Sequence, residues 1–297
     1  MWLGEAILAQ AFASVANFTD KYVLEKYIKD SATVFIFSGS VAALVGVLLF
    51  AVRGFPIIPP FQILMAVLAG IFLQLYLLPY FKALDEEDPS KIVVLFQLIP
   101  VFTLILSALF LGERLKSMQI LGFGVILVSS VFVARQSGKK NKIGNRAIWL
   151  MVLSSFVYAI STILFKFVVD LQNLWDSLAY EGLGMGVGVL LVLLYPKFLG
   201  RVVSEVKNLP VKGWGGLWLS EIFYIGCRLL LAAAFSVGSV SLVNVMGGFQ
   251  PVFLVIYGYV LTKFFPKIIK EDIKASVLRK KLWGILGVFV GLYLIFV

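Results

Sequence analysis

Ten stretches of 16 to 23 mostly apolar residues follow one another along the chain, separated by short polar turns. A helix that crosses a bilayer needs about 20 such residues, so each stretch is long enough to span and the polar remainder is too small for a soluble domain. The spans fall at about Trp2–Tyr22, Ala32–Val52, Phe61–Phe81, Ser90–Gly112 and Met118–Ala134, and then at Ala147–Val169, Leu178–Tyr195, Trp214–Phe235, Val240–Leu261 and Leu282–Val297. Composition agrees. Apolar residues make up 61% and charged residues 14%, with a mean hydropathy of +0.99, well beyond the roughly 45 to 50% apolar usage of soluble domains.

The formal charge of +10 is accounted for by basic loops against anionic lipid rather than by nucleic acid, because no RNA- or DNA-reading pattern accompanies it. One cysteine, Cys227, and no histidine exclude a disulfide framework, the usual metal sites and Ser-His-Asp chemistry. No catalytic residues, metal or cofactor are expected. The first span lacks a basic leader and runs straight into Asp20 and Lys21, so it reads as retained.

Loops after the odd-numbered spans hold 21 of the 26 Lys and Arg, and those after the even spans hold only Arg53, Arg114 and Lys116. The odd loops therefore face the cytoplasm and both termini lie outside. With five spans in each half, successive halves cross the membrane in opposite senses. Such an inverted repeat is also written in the residues. At an offset of 151, Ala83, Ser90, Val94, Pro100, Val101 and Phe102 fall on Ala234, Ser241, Val245, Pro251, Val252 and Phe253. The expected architecture is an all-α integral membrane protein: ten transmembrane helices as two inverted five-helix repeats around a central cavity, with residues 1–135 and 147–297 as the repeats and 136–146 as a basic linker.

The segment YFKALDEEDPSKIVVLFQLIPVF, followed by LFLGERL and QILGFGVILVSSVFV, resembles the EamA-like branch of the drug/metabolite transporter superfamily. Its pattern of a Ser opening the fourth span, a mid-span Pro and a closing Gly-Glu pair is met by Ser90, Pro100, Gly112 and Glu113, and a Lys closing the first helix of each repeat by Lys21 and Lys166. In the second half Thr262 and Lys263 stand where the Gly-Glu pair would be. The resemblance implies a transporter exporting or exchanging amino acids or similar compounds. Alternatives are a flippase or sugar-type permease of the same superfamily, and an integral membrane enzyme acting on lipid-linked substrates with Glu181 and Glu221 as acid and base. Partners would be a small metabolite, a coupling proton or counter-substrate, and the bilayer.

Polar side chains inside spans are costly, about 2.5 to 3.5 kcal/mol for a central charge on insertion scales, so they nominate the site. Glu221, Tyr224 and Arg228 share one face of the eighth span at i, i+3, i+7. Seven residues rise by about 10 Å, too far for a clean Glu221–Arg228 contact, which leaves Arg228 to hold a substrate carboxylate and Glu221 to take a proton or an amine. Gln97, Asn244, Tyr158, Glu181, Asn17 and Gln74 complete the candidate set; the amides among them would serve equally well as interhelical hydrogen-bonding groups. Pro100 and Pro251 either relieve helix curvature or mark broken helices of the kind that carry transporter sites.

Three further expectations concern structure alone. Gly182, Gly184, Gly186 and Gly188 form two overlaid GxxxG faces for close packing rather than a phosphate loop. Glu113 pairs with Arg114 or a lysine at the membrane edge. Asp88 caps the fourth span, and the basic segment 264–281 lies along the interface as an amphipathic helix.

Overall fold

The computed structural model describes residues 2–87, 92, 95–135, 144–194, 196–264 and 275–296. Among them every regular element is helical: α1 (Trp2–Lys26), α2 (Ser31–Val52), α3 (Pro60–Leu75), α4 (Leu77–Glu86), α5 (Leu98–Phe110), α6 (Ser117–Arg135), α7 (Asn145–Val169), α8 (Leu174–Leu193), α9 (Pro196–Asn208), α10 (Val211–Val237), α11 (Val240–Val245), a 3-10 turn (Met246–Phe249), α12 (Gln250–Phe264) and α13 (Ala275–Phe296). Six helical stretches within these residues are long and apolar enough to cross a membrane, Pro60–Glu86 and Val240–Phe264 counting as one each, and three shorter apolar helices accompany them. α1 has the length, at 25 residues, but carries Glu5, Asp20, Lys21, Glu25 and Lys26.

Several boundaries differ from the sequence reading. α1 continues to Lys26, four residues beyond the expected end at Tyr22. The third span is divided at Tyr76 into α3 and α4. α9 occupies what reads as a plain loop after the seventh span. The chain holds it through Glu205, whose carboxylate accepts from the Lys29 and Asp30 amides at 2.9 and 3.0 Å and from Thr33 Oγ1 at 2.6 Å. The capping role of Asp88, most of the linker and residues 265–274 of the interfacial segment lie outside the described residues.

The glycines of α8 act as read. A Cβ on Gly182 would stand 2.7 Å from Gly46 Cα and one on Gly186 2.8 Å from Ala43 Cβ, both on α2. On the other face, a Cβ on Gly184 would stand 2.2 Å from Val67 O and one on Gly188 2.9 Å from Gln74 Cβ, both on α3. Two small-residue faces thus let α8 wedge between α2 and α3 with backbones nearly touching, the arrangement by which helices gain dispersion contacts where no hydrophobic drive exists. Elsewhere α1 packs on α10, α7 on α3 and α4, α5 on α7, α12 on α1 and α6 on α13.

The fourth and ninth spans, which carry Pro100 and Pro251, are each interrupted just ahead of the proline. Phe96 and Gln97 form a turn before α5, where Pro100 is the third residue, and the 3-10 turn Met246–Phe249 precedes α12, where Pro251 is the second. A proline in the first turn of a helix loses no hydrogen bond, since its missing N–H would have no intrahelical partner. The interruptions meet: Gln97 Nε2 donates to Gly247 O at 3.4 Å.

At the far end of α5, Gly112 adopts a φ of 67°, the left-handed region that glycine enters without Cβ strain. The turn aims Glu113 at the start of α11, where its carboxylate accepts from Ser239 Oγ (2.8 Å), Val240 N (2.8 Å), Ser241 N (3.3 Å) and Ser241 Oγ (2.7 Å). Glu113 therefore caps another span rather than pairing with a neighbouring base. Exposed amides at a helix N-terminus and an added carboxylate satisfy each other more fully than a water-screened ion pair would.

Candidate functional site

A cavity of about 110 Å³ lies where α1, α4, α7, α10 and the two interrupted spans converge. α10 supplies Ser220, Glu221, Tyr224, Cys227 and Arg228, the face that the i, i+3, i+7 spacing predicts. From α1 come Gln10, Asn17 and Asp20, and from α2 comes Ser38. The two interrupted spans bring Gln97 from the turn before α5, Pro100 from α5, Asn244 from α11 and Gln250 from the start of α12. An aromatic wall of Tyr76, Tyr80, Phe96 and Tyr158 closes the remaining side. Its rings brace one another: Tyr76 and Tyr158 meet edge to face at 4.9 Å, and Tyr80 stacks on Phe96 at 5.3 Å.

Of the residues nominated from sequence, Arg228, Glu221, Tyr224, Gln97, Asn244, Tyr158, Asn17 and Pro100 line this cavity. Three do not. Gln74 is fully buried on α3 and donates to Phe35 O at 2.8 Å, joining α3 to α2. Pro251 is buried beside the cavity at the start of α12. Glu181 sits behind the wall, and its carboxylate grips Arg228 on two sides, Nε to Oε2 at 2.8 Å and Nη2 to Oε1. The guanidinium also lies over the Phe165 ring, 4.2 Å from its centroid.

That pairing changes the reading of Arg228. A charge in the middle of a bundle needs a partner; here it has one, in the fork-to-fork form that best satisfies a guanidinium. The helix rise keeps Glu221 away from Arg228, as the spacing implies, but the partner stands on α8, which sequence spacing cannot show.

The two remaining acids are differently placed. Asp20 is 8% exposed and accepts a hydrogen bond from Ser220 Oγ. Glu221 is 4% exposed, and its Oε2 is buried without a hydrogen-bond partner. Among the described residues no Lys or Arg forms an ion pair with either. Lys21, next to Asp20 in sequence, points elsewhere, donating to Leu84 O at 2.8 Å and facing Glu25. Asp20 escapes the sequence reading because it follows the apolar run, although it stands three residues from Asn17 and so shares its helix face.

The amides hold the frame together. Asn17 Oδ1 accepts from Tyr80 OH at 2.9 Å. Asn244 Nδ2 donates to Thr103 Oγ1 and Thr162 Oγ1 at 3.2 and 3.3 Å, joining α11 to α5 and α7. One turn away, the hydroxyls of Ser107 and Ser241 share a hydrogen bond of 2.6 Å.

A polar cavity inside a bundle of apolar helices is the mark of a multi-pass membrane protein. Residues 1–135 match the model of the EamA-like transporter family, a match consistent with the drug/metabolite transporter superfamily. A solved structure titled only "Crystal structure of protein" superposes with a TM-score of 0.65 over 96% of this chain and 97% of its own, at 16% identity, so the fold is shared along the whole length. No curated protein matches the sequence.

Proposed function

We propose that the protein is a secondary transporter of the cell membrane that exports or exchanges small metabolites, amino acids or related compounds among them, through the cavity between two inverted five-helix repeats. The observation that carries this reading is the cavity itself, which joins two interrupted spans to a polar face of α10. Interrupted helices leave backbone groups free for a ligand at membrane depth, and this is where carriers of inverted-repeat design bind.

Support for the repeat comes from paired contacts. If spans 1 to 5 correspond to spans 6 to 10, α1 on α10 is the counterpart of α7 on α3 and α4, and α5 on α7 that of α12 on α1, while α2 on α8 and α6 on α13 are their own counterparts. The offset of 151 recurs between the acceptors of two matching hydrogen bonds, while their donors are 145 apart: Lys21 Nζ donates to Leu84 O, and Lys166 Nζ donates at 2.9 Å to Phe235 O. In the proposed arrangement residues 1–135 and 147–297 are the repeats, 136–146 joins them on the cytoplasmic side, and Gln97, Asn244, Tyr158, Tyr224, Asn17 and Glu221 contact substrate, with Arg228 fixed by Glu181. A proton or a counter-substrate drives exchange.

The test is counterflow of labelled amino acids in proteoliposomes loaded with the unlabelled compounds, with product analysis of the same vesicles. Accumulation of unchanged label, lowered by Gln97→Ala and Asn244→Ala, is expected. Conversion of an added lipid-linked substrate without any counterflow would instead favour the membrane enzyme.

A further inference from the structure

We propose that the cavity selects a compound by its cationic amine rather than by a carboxylate, with Asp20 and Glu221 as the receiving groups; this rests on the transporter reading and names its substrate class. The charges on the wall decide it. Arg228 and Glu181 cancel in a bidentate pair, so the uncompensated groups that reach the cavity are the carboxyls of Asp20 and Glu221. Glu221 Oε2 is buried and without a hydrogen-bond partner, an arrangement that is costly in a protein interior unless a ligand or a proton completes it.

The geometry around the two acids suits an ammonium. Ser220, whose hydroxyl donates to Asp20 of α1, immediately precedes Glu221 on α10, so the hydrogen bond between the two helices brings both acids to one part of the cavity wall. Tyr76, Tyr80 and Tyr224 line that compartment, and the faces of aromatic rings attract cations more strongly where water is excluded. A substrate carboxylate has no such welcome. The Nε and one Nη of Arg228 are taken by Glu181, and placing a third anion beside Glu181 adds repulsion in a medium that screens poorly. A zwitterion brings both ends, so it should bind less well than the amine from which the carboxylate has been removed.

Three compounds with one hydrocarbon tail separate these cases: isopentylamine, leucine and 4-methylpentanoate. Thermal unfolding of the purified protein is followed against each, since a ligand that binds only the folded state stabilises it by mass action. Isopentylamine should give the largest shift, leucine a smaller one and 4-methylpentanoate none. Asp20→Asn and Glu221→Gln, which keep shape and hydrogen-bonding capacity, should each weaken apparent amine affinity roughly tenfold, the effect of losing one charge-assisted hydrogen bond. A shift with leucine equal to or above that with the amine, a shift with the carboxylate, or no shift with any of the three overturns the proposal, as does undiminished amine binding by both variants. Counterflow of the same three compounds is read separately. Preferred counterflow of leucine or the carboxylate defeats the amine assignment and leaves the transporter standing; binding of the amine without movement of any compound does the reverse.

Discussion

Removing one member of the Arg228–Glu181 pair is predicted to cost far more than removing both. The Glu181 side chain is 2% exposed and that of Arg228 11%, so Glu181→Gln would strand a guanidinium among Phe165, Tyr158 and Tyr224 with nothing anionic within the bidentate geometry it now has. Breaking a buried pair from one side costs about 3 to 5 kcal/mol, whereas replacing both partners by apolar groups of similar size is close to neutral. The expected order of stability is therefore parent, then Glu181→Leu/Arg228→Met, then Glu181→Gln and Arg228→Met well below. At 3 kcal/mol the unfolding equilibrium shifts by roughly a hundredfold, within reach of reversible unfolding in mixed micelles. With Glu181→Leu as the matching single variant, the double-mutant cycle should return a coupling at least as large as one single loss, about 3 kcal/mol or more. Additive single-site losses, each under about 1 kcal/mol, would show that water screens the pair and that Arg228 is free to meet a ligand, which would undo the charge count on which the amine assignment stands.

Gly184→Ala should destabilise by about 1 to 3 kcal/mol through overpacking, because the new Cβ would lie 2.2 Å from Val67 O, while Gly215→Ala, with nothing within 4 Å, should be neutral or stabilising by up to about 1 kcal/mol; equal effects in the same unfolding assay would refute the close packing of α8. Glu113→Ala removes the acceptor of the amides and hydroxyls that open α11, and a loss of about 1 to 2 kcal/mol is expected, with Glu113→Gln intermediate; a silent Glu113→Ala would mean that water replaces the cap. For sidedness, Ser137→Cys in a Cys227→Ser background should resist impermeant thiol reagents applied to intact cells and react after permeabilisation, and rapid labelling from outside would reverse the orientation inferred from the loop charges.

How much of this could be read in the chain depends on whether the deciding partner is near in sequence. The faces of α8 are legible because a four-residue glycine spacing is a property of one helix, and Gly182 and Gly186 on one side, Gly184 and Gly188 on the other, need only that helix to be recognised. Glu221, Tyr224 and Arg228 are legible for the same reason. Glu181 and Arg228 are 47 residues apart on different helices, and Glu113 reaches 126 residues or more to α11; no periodicity links them, so the sequence offers each acid only its nearest base or the cavity. Asp20 is hard to read for an opposite reason: its neighbour Lys21 suggests a charged helix end, whereas the lysine turns away to a carbonyl and leaves the acid facing inward. α9 reads as a loop because its charged residues obscure a helix on which Val202 is buried.

The glycine contacts of α8 also bear on how such a molecule can move. Where side chains interlock, two helices can slide by exchanging rotamers, but Gly182 against Gly46 and Gly184 against Val67 bring main chain to main chain, and there is nothing to exchange. α2, α3 and α8 are then one stiff plank. Any opening of the cavity to one side of the membrane and then to the other has to be taken up along the plank's borders, by α1 and α10 on the one hand and by the short turns at Phe96–Gln97 and Met246–Phe249 on the other. The backbone there is already out of the α-helical register, so it bends without first breaking a helix.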